Sequence, residues 1–266
     1  MLRSVFLKTF HDQRASLLGW LAAIALIDLM YAAIWPSVRN QPSLDDYLDR
    51  LPDAFRALFA ATGADLSTPE GYIQIELMSF LGPILVILYA VGQGSRSVAG
   101  EEDRHTMDLL LASPVSRLRV LMEKAAAMVV GTAMLAAVLG LALVVEGRLF
   151  DMVIPIDRVA AAMVHLALLG LVFGAIALAV GAVTGDLGLS RSVPAAIAVV
   201  AYLVNGLGPM VAWLEPLQQY SPFYQYIAHD PLRAGVSLTS AAVAGLTVIV
   251  LVAVGGWGFQ RRDVQG

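Results

Sequence analysis

The chain has 266 residues, of which 58% are hydrophobic and 14% are charged. Soluble proteins carry about 25% charged residues, so this composition excludes an ordinary soluble domain and indicates an integral membrane protein. The net charge of -4 favours no particular partner, and no nucleic-acid partner is expected. Because the sequence contains no cysteine, disulfides and thiolate metal sites are excluded.

Six apolar runs have the length of membrane-spanning helices. A helix needs roughly 20 residues to cross a hydrocarbon layer of about 30 Å. The predicted spans cover residues 17–35, 72–94, 125–145, 159–184, 193–214 and 238–259. They leave little chain for a soluble unit, so we predict an all-α integral membrane protein with one transmembrane domain over residues 1–266.

The distribution of cations predicts that the N-terminus and the C-terminus are both cytoplasmic. Lys and Arg near the ends of spans are retained on the cytoplasmic side. With the N-terminus inside, the inner segments carry eleven cations and the outer segments carry six. The segment between spans 2 and 3 is then cytosolic, and the segment between spans 1 and 2 is external.

Two flanking segments have helical patterns of their own. Before span 1, Val5, Phe6 and Phe10 recur at helical spacing among basic residues, which predicts either a short basic helix on the membrane surface or an ordinary positive flank. Between spans 1 and 2, an apolar stripe over residues 43–59 predicts an external amphipathic helix, bent at Pro52. That helix would either cap a substrate path or shield the tops of the spans.

Small residues and prolines mark the fourth and fifth spans. In span 4, Gly170, Gly174 and Gly181 belong to a series at three- or four-residue steps, which predicts close helix packing, within the chain or at a subunit contact. In span 5, residues 205–209 contain two glycines and a proline, which predicts a kink or an unwound turn. The aromatic segment 215–237 that follows is expected to dip back into the membrane edge.

The chain lacks the residues that catalysis would need. A P-loop requires a lysine directly after a glycine, but the only lysines, Lys8 and Lys124, follow leucine and glutamate. The four histidines fall in different segments without the spacing of metal ligands. Paired glutamates mark one class of intramembrane protease, but Thr106 stands where that pattern requires arginine. We therefore predict no catalytic residue and no metal site.

Three ionisable residues fall within the predicted spans: Asp28, Glu76 and His165. Such groups are costly in hydrocarbon and should face protein or water. They could relay protons or bind a cation. Alternatively, Glu76 and His165 lie near span ends and reach the interface, which leaves Asp28 alone in mid-membrane.

Residues 100–124, between spans 2 and 3, read GEEDRHTMDLLLASPVSRLRVLMEK. The glutamates fall in a first helical turn, where the helix dipole favours carboxylates. Met107, Leu110 and Leu111 share one face by their spacing, which predicts a rigid helix of about ten residues with an apolar ridge for a soluble partner. Ser113 and Pro114 are typical of the N-cap and first turn of the next helix. A solvated loop is the alternative.

This segment resembles the permease subunits of type-2 ABC exporters, the family that includes drug and antibiotic efflux permeases. The resemblance rests on the acidic start, Arg104 and Thr106, the leucine run, Pro114 to Arg117, and Lys124. Residues 68–72 and 221–235 are similar to the same family. Six spans with inner termini also agree, so the resemblance covers nearly the whole chain.

The resemblance implies a mechanism. Two permease subunits, identical or related, form the pathway, and two separate ABC ATPase subunits bind ATP and Mg and move the cytosolic coupling helices. This chain would be a non-enzymatic permease without a cofactor, in the plasma membrane of a prokaryote, exporting a hydrophobic or amphiphilic compound such as a drug, an antibiotic or a lipid-like molecule. The residues expected to couple to the ATPase are Glu101, Glu102, Arg104, His105, Thr106, Met107, Leu110, Leu111 and Pro114.

Two other functions stay open at this point. An ion-coupled secondary transporter would use Asp28, Glu76 and His165 and would need no ATPase. A non-transporting membrane scaffold or sensor would bind an ATPase without moving a substrate.

Overall fold

The computed structural model describes residues 4–39, 41, 52, 65–107 and 115–262, and among these residues it contains helices and no strand. The external helix predicted over residues 43–59 lies outside the described residues. In chain order the α-helices are α1 (Val5–Val38), α2 (Pro69–Ile73), α3 (Leu81–Ser97), α4 (Ala99–Asp103), α5 (Arg117–Leu149), α6 (Ile156–Thr184), α7 (Leu187–Leu207), α8 (Glu215–Gln218), α9 (Pro222–Ile227), α10 (Pro231–Ala234) and α11 (Leu238–Arg261).

The long helices have the character of membrane spans. Five of them, α1, α5, α6, α7 and α11, are long and apolar enough to cross a membrane. A sixth span results if α2 and α3, which meet at an angle of 43°, are one broken span. The prediction of an all-helical membrane protein is confirmed, with five or six candidate spans among the described residues.

α1 and α5 run in parallel and are longer than a membrane is thick. The backbone N–H of Phe6 donates to Glu123 at one end, and the Trp35 indole donates to the carbonyl of Asp151 at the other. With 34 and 33 residues, each helix is about 50 Å long. The segment before span 1 is therefore a continuation of α1 along α5, and the alternative of a separate surface helix is wrong.

The second predicted span is broken where the apolar run was expected to be continuous. A π-helical turn over Gln74–Met78 follows α2, and α3 begins only at Leu81. Pro83 explains the break, because a proline cannot donate to the carbonyl four residues earlier and its ring collides with that carbonyl. Two carbonyls at the break are bonded by hydroxyl groups: the Ser79 hydroxyl donates to the Gln74 carbonyl, and the hydroxyl of the distant Tyr226 donates to the Met78 carbonyl.

α6 is the central helix of the bundle and packs against α3, α5, α7 and α11. Its small residues allow the close approach. A Cβ added to Gly94 of α3 would lie 2.2 Å from the carbonyl oxygen of Gly174 in α6. On the α7 side, the Ser190 hydroxyl donates to the Ala177 carbonyl. The small-residue series of span 4 thus packs within the chain.

The segment after α7 folds back onto the bundle. α7 ends at Leu207, and a 3-10 turn, Gly208–Met210, follows at the predicted glycine–proline break. α8, α9 and α10 then lead to α11. Phe223, Tyr226 and Leu232 are buried, and the Ser221 hydroxyl donates to the Ala201 carbonyl of α7.

The helix ends define two faces of the bundle. The N-terminal face holds the first residues of α1, α5 and α7 together with the last residues of α3, α6 and α11, and it also holds α4. The opposite face holds α8, α9, α10 and the turn between α5 and α6.

The contact between α3 and α6 yields a test. Gly94→Ala should lower the free energy of unfolding by about 1–3 kcal/mol, because its methyl group would overlap the α6 backbone. Thermal unfolding of the purified protein in detergent measures the effect. Gly92→Ala on the same helix is the matched control, since nothing lies within 4 Å of its added Cβ. Equal midpoints for the two variants would contradict the close approach.

Candidate functional site

The predicted coupling segment forms a short helix and a tight turn at the N-terminal face, and we call residues 100–107 the acidic turn. α4 is only five residues long and ends at Asp103. The N–H of His105 donates to the Glu102 carbonyl and that of Thr106 to the Glu101 carbonyl, both at 2.9 Å. With His105 at φ 53°, this is a Schellman C-terminal cap, which satisfies the last carbonyls of a helix.

This cap corrects the prediction of one continuous helix of about ten residues. The chain leaves the helical path at Arg104, so α4 does not continue into Met107, and the predicted face shared with Leu110 and Leu111 falls partly outside the described residues. The start of the next helix is also later than predicted. Ser116, and not Ser113, is the N-cap of α5, and its hydroxyl accepts from the N–H of Arg119.

Glu101 is tied to α5. Its carboxylate lies 2.5 Å from the ammonium of Lys124, whose side chain is only 4% exposed. The Thr106 hydroxyl donates to the same carboxylate at 2.5 Å. Burial opposes the ionisation of Glu101, but the charge of Lys124 and the hydrogen bonds from Lys124 and Thr106 outweigh it and lower the pKa of Glu101 below its ordinary value.

Glu102 is tied to the end of α11 and, through it, to α6. Its side chain is 5% exposed and accepts both terminal nitrogens of the Arg262 guanidinium, one of them at 2.9 Å. The Arg262 Nε donates to the Ala182 carbonyl of α6 at 3.3 Å. Gly185, the C-cap of α6 at φ 72°, leaves the space that this pair occupies, because an added Cβ would lie 2.4 Å from the guanidinium.

Arg117 extends this connection to the first turn of α5. Its guanidinium donates to the Arg262 carbonyl at 2.6 Å and lies over the Phe259 ring. The acidic turn is therefore joined by side chains to α5, α6 and α11. Bidentate arginine–carboxylate pairs hold a fixed relative orientation, so these contacts fix the position of the acidic turn relative to α5, α6 and α11. We call the two ion pairs, Glu101–Lys124 and Glu102–Arg262, the joint.

The side chain of Met107 packs the acidic turn against the bundle. It is 1% exposed and packs in an apolar cluster with Val98, Leu121, Phe259 and neighbouring residues of α6. Met107 is therefore buried within this chain, and its expected contact with an ATPase subunit stays a prediction. Its apolar character reflects internal packing.

The remaining predicted coupling residues divide into two groups. Arg104 and His105 are exposed at the tip of the turn, next to the exposed Asp103. Leu110, Leu111 and Pro114 lie outside the described residues. The surface that the described part of the turn presents is therefore polar and charged.

Two of the joining residues were not recognised in the sequence as partners of the acidic pair. Arg262 is one of the eleven cations of the predicted inner segments, and Gly185 continues the three- or four-residue steps of span 4. A signal existed for Lys124, because a lysine at the edge of an apolar span requires a nearby carboxylate. No sequence spacing indicated that Arg262 meets Glu102.

The three intramembrane ionisable residues do not come together. Glu76 is exposed, and it acts electrostatically on Tyr31 and Tyr72. His165 is buried and accepts the backbone N–H of Ser237 at 3.1 Å. Among the described residues, no cluster of three His, Asp or Glu side chains forms a metal-binding group.

Asp28 differs from the other two. It is 1% exposed, and neither carboxylate oxygen has a hydrogen-bond partner among the described residues. The charged group that acts on it is Glu146 of α5. A buried carboxylate without a partner is costly in its charged form.

The Glu101–Lys124 pair yields a test of the joint. Glu101→Gln should lower the free energy of unfolding by about 2–4 kcal/mol, because it leaves the buried Lys124 charge without its partner. Thermal unfolding in detergent measures the loss. Asp103→Asn, an exposed carboxylate in the same helix, is the control and should change stability by less than about 0.5 kcal/mol.

The pH dependence of that loss has a defined sign. A carboxylate with a lowered folded-state pKa stabilises the protein fully above its unfolded pKa, and the contribution disappears as the pH falls through the folded value. The difference between the wild type and Glu101→Gln should be constant from about pH 8 to pH 5 and shrink only below about pH 4.3. A difference that grows toward low pH would contradict the assignment.

Comparison with known families agrees with this architecture. A sequence model of the C-terminal domain of the multidrug efflux system permease Rv1217c matches residues 2–260 of the chain. No curated protein matches the sequence significantly. The match covers nearly the whole chain and is consistent with the resemblance to type-2 ABC exporter permeases. The chain therefore belongs to the family of the C-terminal domain of the multidrug efflux permease Rv1217c and is a transmembrane efflux permease.

Proposed function

We propose that this chain is the membrane subunit of an ATP-driven ABC exporter and that a separate ATPase subunit, which binds ATP and Mg, acts on its acidic turn. The observation that carries the proposal is the pair of ion pairs, Glu101–Lys124 and Glu102–Arg262, which join this turn to the long helices. A solvated loop would have no such joint. The chain itself performs no hydrolysis.

The cation distribution supports a cytoplasmic position for the N-terminal face. Positively charged residues near span ends are retained in the cytoplasm. The described cations at the N-terminal face are Lys8, Arg14, Arg96, Arg104, Arg117, Arg119, Lys124, Arg191, Arg261 and Arg262. The opposite face carries Arg39, Arg148, Arg158 and Arg233. We propose the plasma membrane of a prokaryote as the location, as the resemblance to exporter permeases implies.

Through the joint, a displacement of the acidic turn would be transmitted to the long helices that form the proposed pathway. Glu101 passes a displacement to α5 through Lys124, and Glu102 passes it to α11 through Arg262. The contact of Arg262 with the Ala182 carbonyl includes α6. Because these groups are buried or half-buried, they are screened less by solvent than surface pairs are, and the turn and three helices move together.

We also propose that a second permease domain contributes to the pathway. α7 is apolar along its length and largely exposed, with Ile197, Val199, Val200 and Leu203 on its surface. In Rv1217c the matching unit is the C-terminal domain, a part of a larger permease. We infer that this chain forms its pathway together with an identical or related permease, and that α7 lies near that partner.

The exported compound is proposed to be hydrophobic or amphiphilic. The family relative is a multidrug efflux permease by its description, and the surfaces of the long helices consist mostly of Ala, Val, Leu and Gly. A groove of about 510 Å³ between α5 and α6 has this composition, with Ala136, Gly140 and Met163 in its wall. It would accept an apolar moiety of drug size.

The ion-coupled alternative is kept because of one observation. Asp28 is buried and has no hydrogen-bond partner among the described residues, so its carboxylate is available to take up a proton. Glu76 and His165 give it no support, since they have separate environments.

Cross-linking tests the docking of the ATPase. His105→Cys places one thiol at the exposed tip of the acidic turn, in a chain that has no other cysteine. With a thiol-reactive linker, this variant should form a covalent adduct with the ATPase subunit of the same exporter, and ATP should change the yield. Mass spectrometry of the adduct identifies the residues joined.

The control for this experiment lies on the opposite face. Asp157→Cys replaces a side chain that is 76% exposed at the start of α6. It should give no adduct, because the proposed orientation places it outside. An adduct at Asp157→Cys with none at His105→Cys would reverse the orientation and remove the proposed docking site.

Transport by an Asp28→Asn variant separates the two functions. In proteoliposomes that contain the ATPase, ATP-dependent export should stay within about twofold of the wild type, because Asp28 takes no part in the contacts that join the acidic turn to α5, α6 and α11. Loss of transport driven by a pH gradient, with no dependence on ATP, would instead establish the ion-coupled function. Asp157→Asn is the control, since it removes an exposed carboxylate that neither function uses.

A further inference from the structure

Next to the acidic turn, the N-terminal face contains a concave polar pocket, whose wall shares Glu101 and Lys124 with the joint but also holds charged residues that take no part in it. Its volume is about 200 Å³, and it lies between α1, the end of α3, the turn and the start of α5. The charged residues in its wall are Lys8, Asp12, Arg96, Glu101, Arg104 and Lys124. At this volume it is too small for a drug-sized compound, since such sites measure about 300–1,000 Å³.

The pocket carries an excess of positive charge. Four of its six charged groups are cations, and the Glu101 carboxylate is taken up by Lys124. Within the described part of the chain, Lys8, Arg96 and Arg104 lie in no ion pair, and all three side chains are exposed. Asp12 is the remaining carboxylate in the wall. Three cations thus converge on a cavity with one uncommitted anion.

The position of the pocket points to the membrane surface. Its wall comes from α1 before the predicted start of span 1 at Leu17, from α3 just beyond Gly94, and from α5 just before Ala125. These points mark the boundary between the apolar spans and the polar N-terminal face. Phospholipid head groups lie at this depth, and exposed apolar residues such as Leu18 of α1 are available beside it for acyl chains.

We propose that this pocket binds the phosphate of an anionic phospholipid head group. Guanidinium and ammonium groups are strong donors to phosphate oxygens, and the pocket holds both kinds around a cavity of about 200 Å³, which has room for a phosphate and part of its head group. The cations belong to three separate elements, α1, α3 and the acidic turn. A bound phosphate would therefore fasten the N-terminal part of α1 to the turn and make the turn's position depend on lipid composition.

Lipid-dependent unfolding tests the proposal with the purified full chain. In detergent, short-chain phosphatidylglycerol should raise the midpoint of thermal unfolding in a saturable way. Phosphatidylcholine, whose ammonium offsets its phosphate, should not. The double variant Lys8→Gln, Arg96→Gln should need at least about tenfold more phosphatidylglycerol for the same rise, because two charge-assisted contacts are lost. Both side chains are exposed, so its midpoint without lipid should equal that of the wild type.

Arg191→Gln is the matched control, since Arg191 is an exposed cation of the same face on α7 and outside the pocket. It should respond to phosphatidylglycerol like the wild type. An equal loss in Arg191→Gln would show diffuse attraction to a basic surface and overturn the proposal, as would an unchanged response of the double variant.

Two further results would assign the pocket to another ligand. If inorganic phosphate raises the midpoint at the same concentration and with the same dependence on Lys8 and Arg96, the ligand is a soluble phosphate and the lipid assignment fails. If the double variant keeps its lipid response but no longer binds the ATPase, the pocket receives an acidic segment of that protein. Neither result needs a transport assay, and the lipid measurements use the purified chain without an ATPase, so they succeed or fail separately from the proposed function.

Discussion

Two buried ion pairs determine what the N-terminal face of this permease can do. A charge in a protein interior requires a partner of opposite sign, because the loss of hydration costs several kcal/mol per ion. Lys124 and Glu102 are both nearly inaccessible, so their partners are obligatory. This requirement fixes the acidic turn against α5 and α11 whatever else contacts it. A neighbour that acts on the turn then acts on the bundle.

The packing of the bundle supplies the stiffness that such a joint needs. α6 contacts α3 at backbone distance through Gly94 and Gly174, and it receives Arg262 at its last turn. Side chains that interdigitate at native density do not compress. A displacement imposed at one end of α6 therefore reaches the other end with little loss, which a loosely packed bundle would not allow.

The sequence predicted the parts of this structure that depend on local pattern. The long helices follow from apolar runs, because hydrocarbon requires every backbone group to be bonded within its own segment. The end of α7 follows from its glycines and proline. The broken second span was missed because Pro83 lies inside an apolar run whose hydropathy stays high on both sides of the break.

The candidate site was less accessible to sequence reasoning, for physical reasons. Glu101 and Lys124 are 23 residues apart, and Glu102 and Arg262 are 160 apart, so no periodicity connects them. The end of α4 carried no glycine to mark it, since His105 adopts the left-handed conformation that glycine usually provides. Met107 belongs to an apolar pattern, but the pattern cannot say whether its partner is internal or external.

The break in the second span lies at the end of α3 that is opposite to the acidic turn. Met78 lies just before the start of α3, and its carbonyl accepts a hydrogen bond from the hydroxyl of Tyr226, which belongs to α9 on the opposite face of the bundle. α3 continues at its other end into α4 and the acidic turn. α3 is therefore held at both ends, by the ion pairs of the acidic turn at one end and by the Tyr226–Met78 hydrogen bond at the other. A tilt of α3 that moves the acidic turn would also displace the Met78 carbonyl and strain its hydrogen bond with Tyr226.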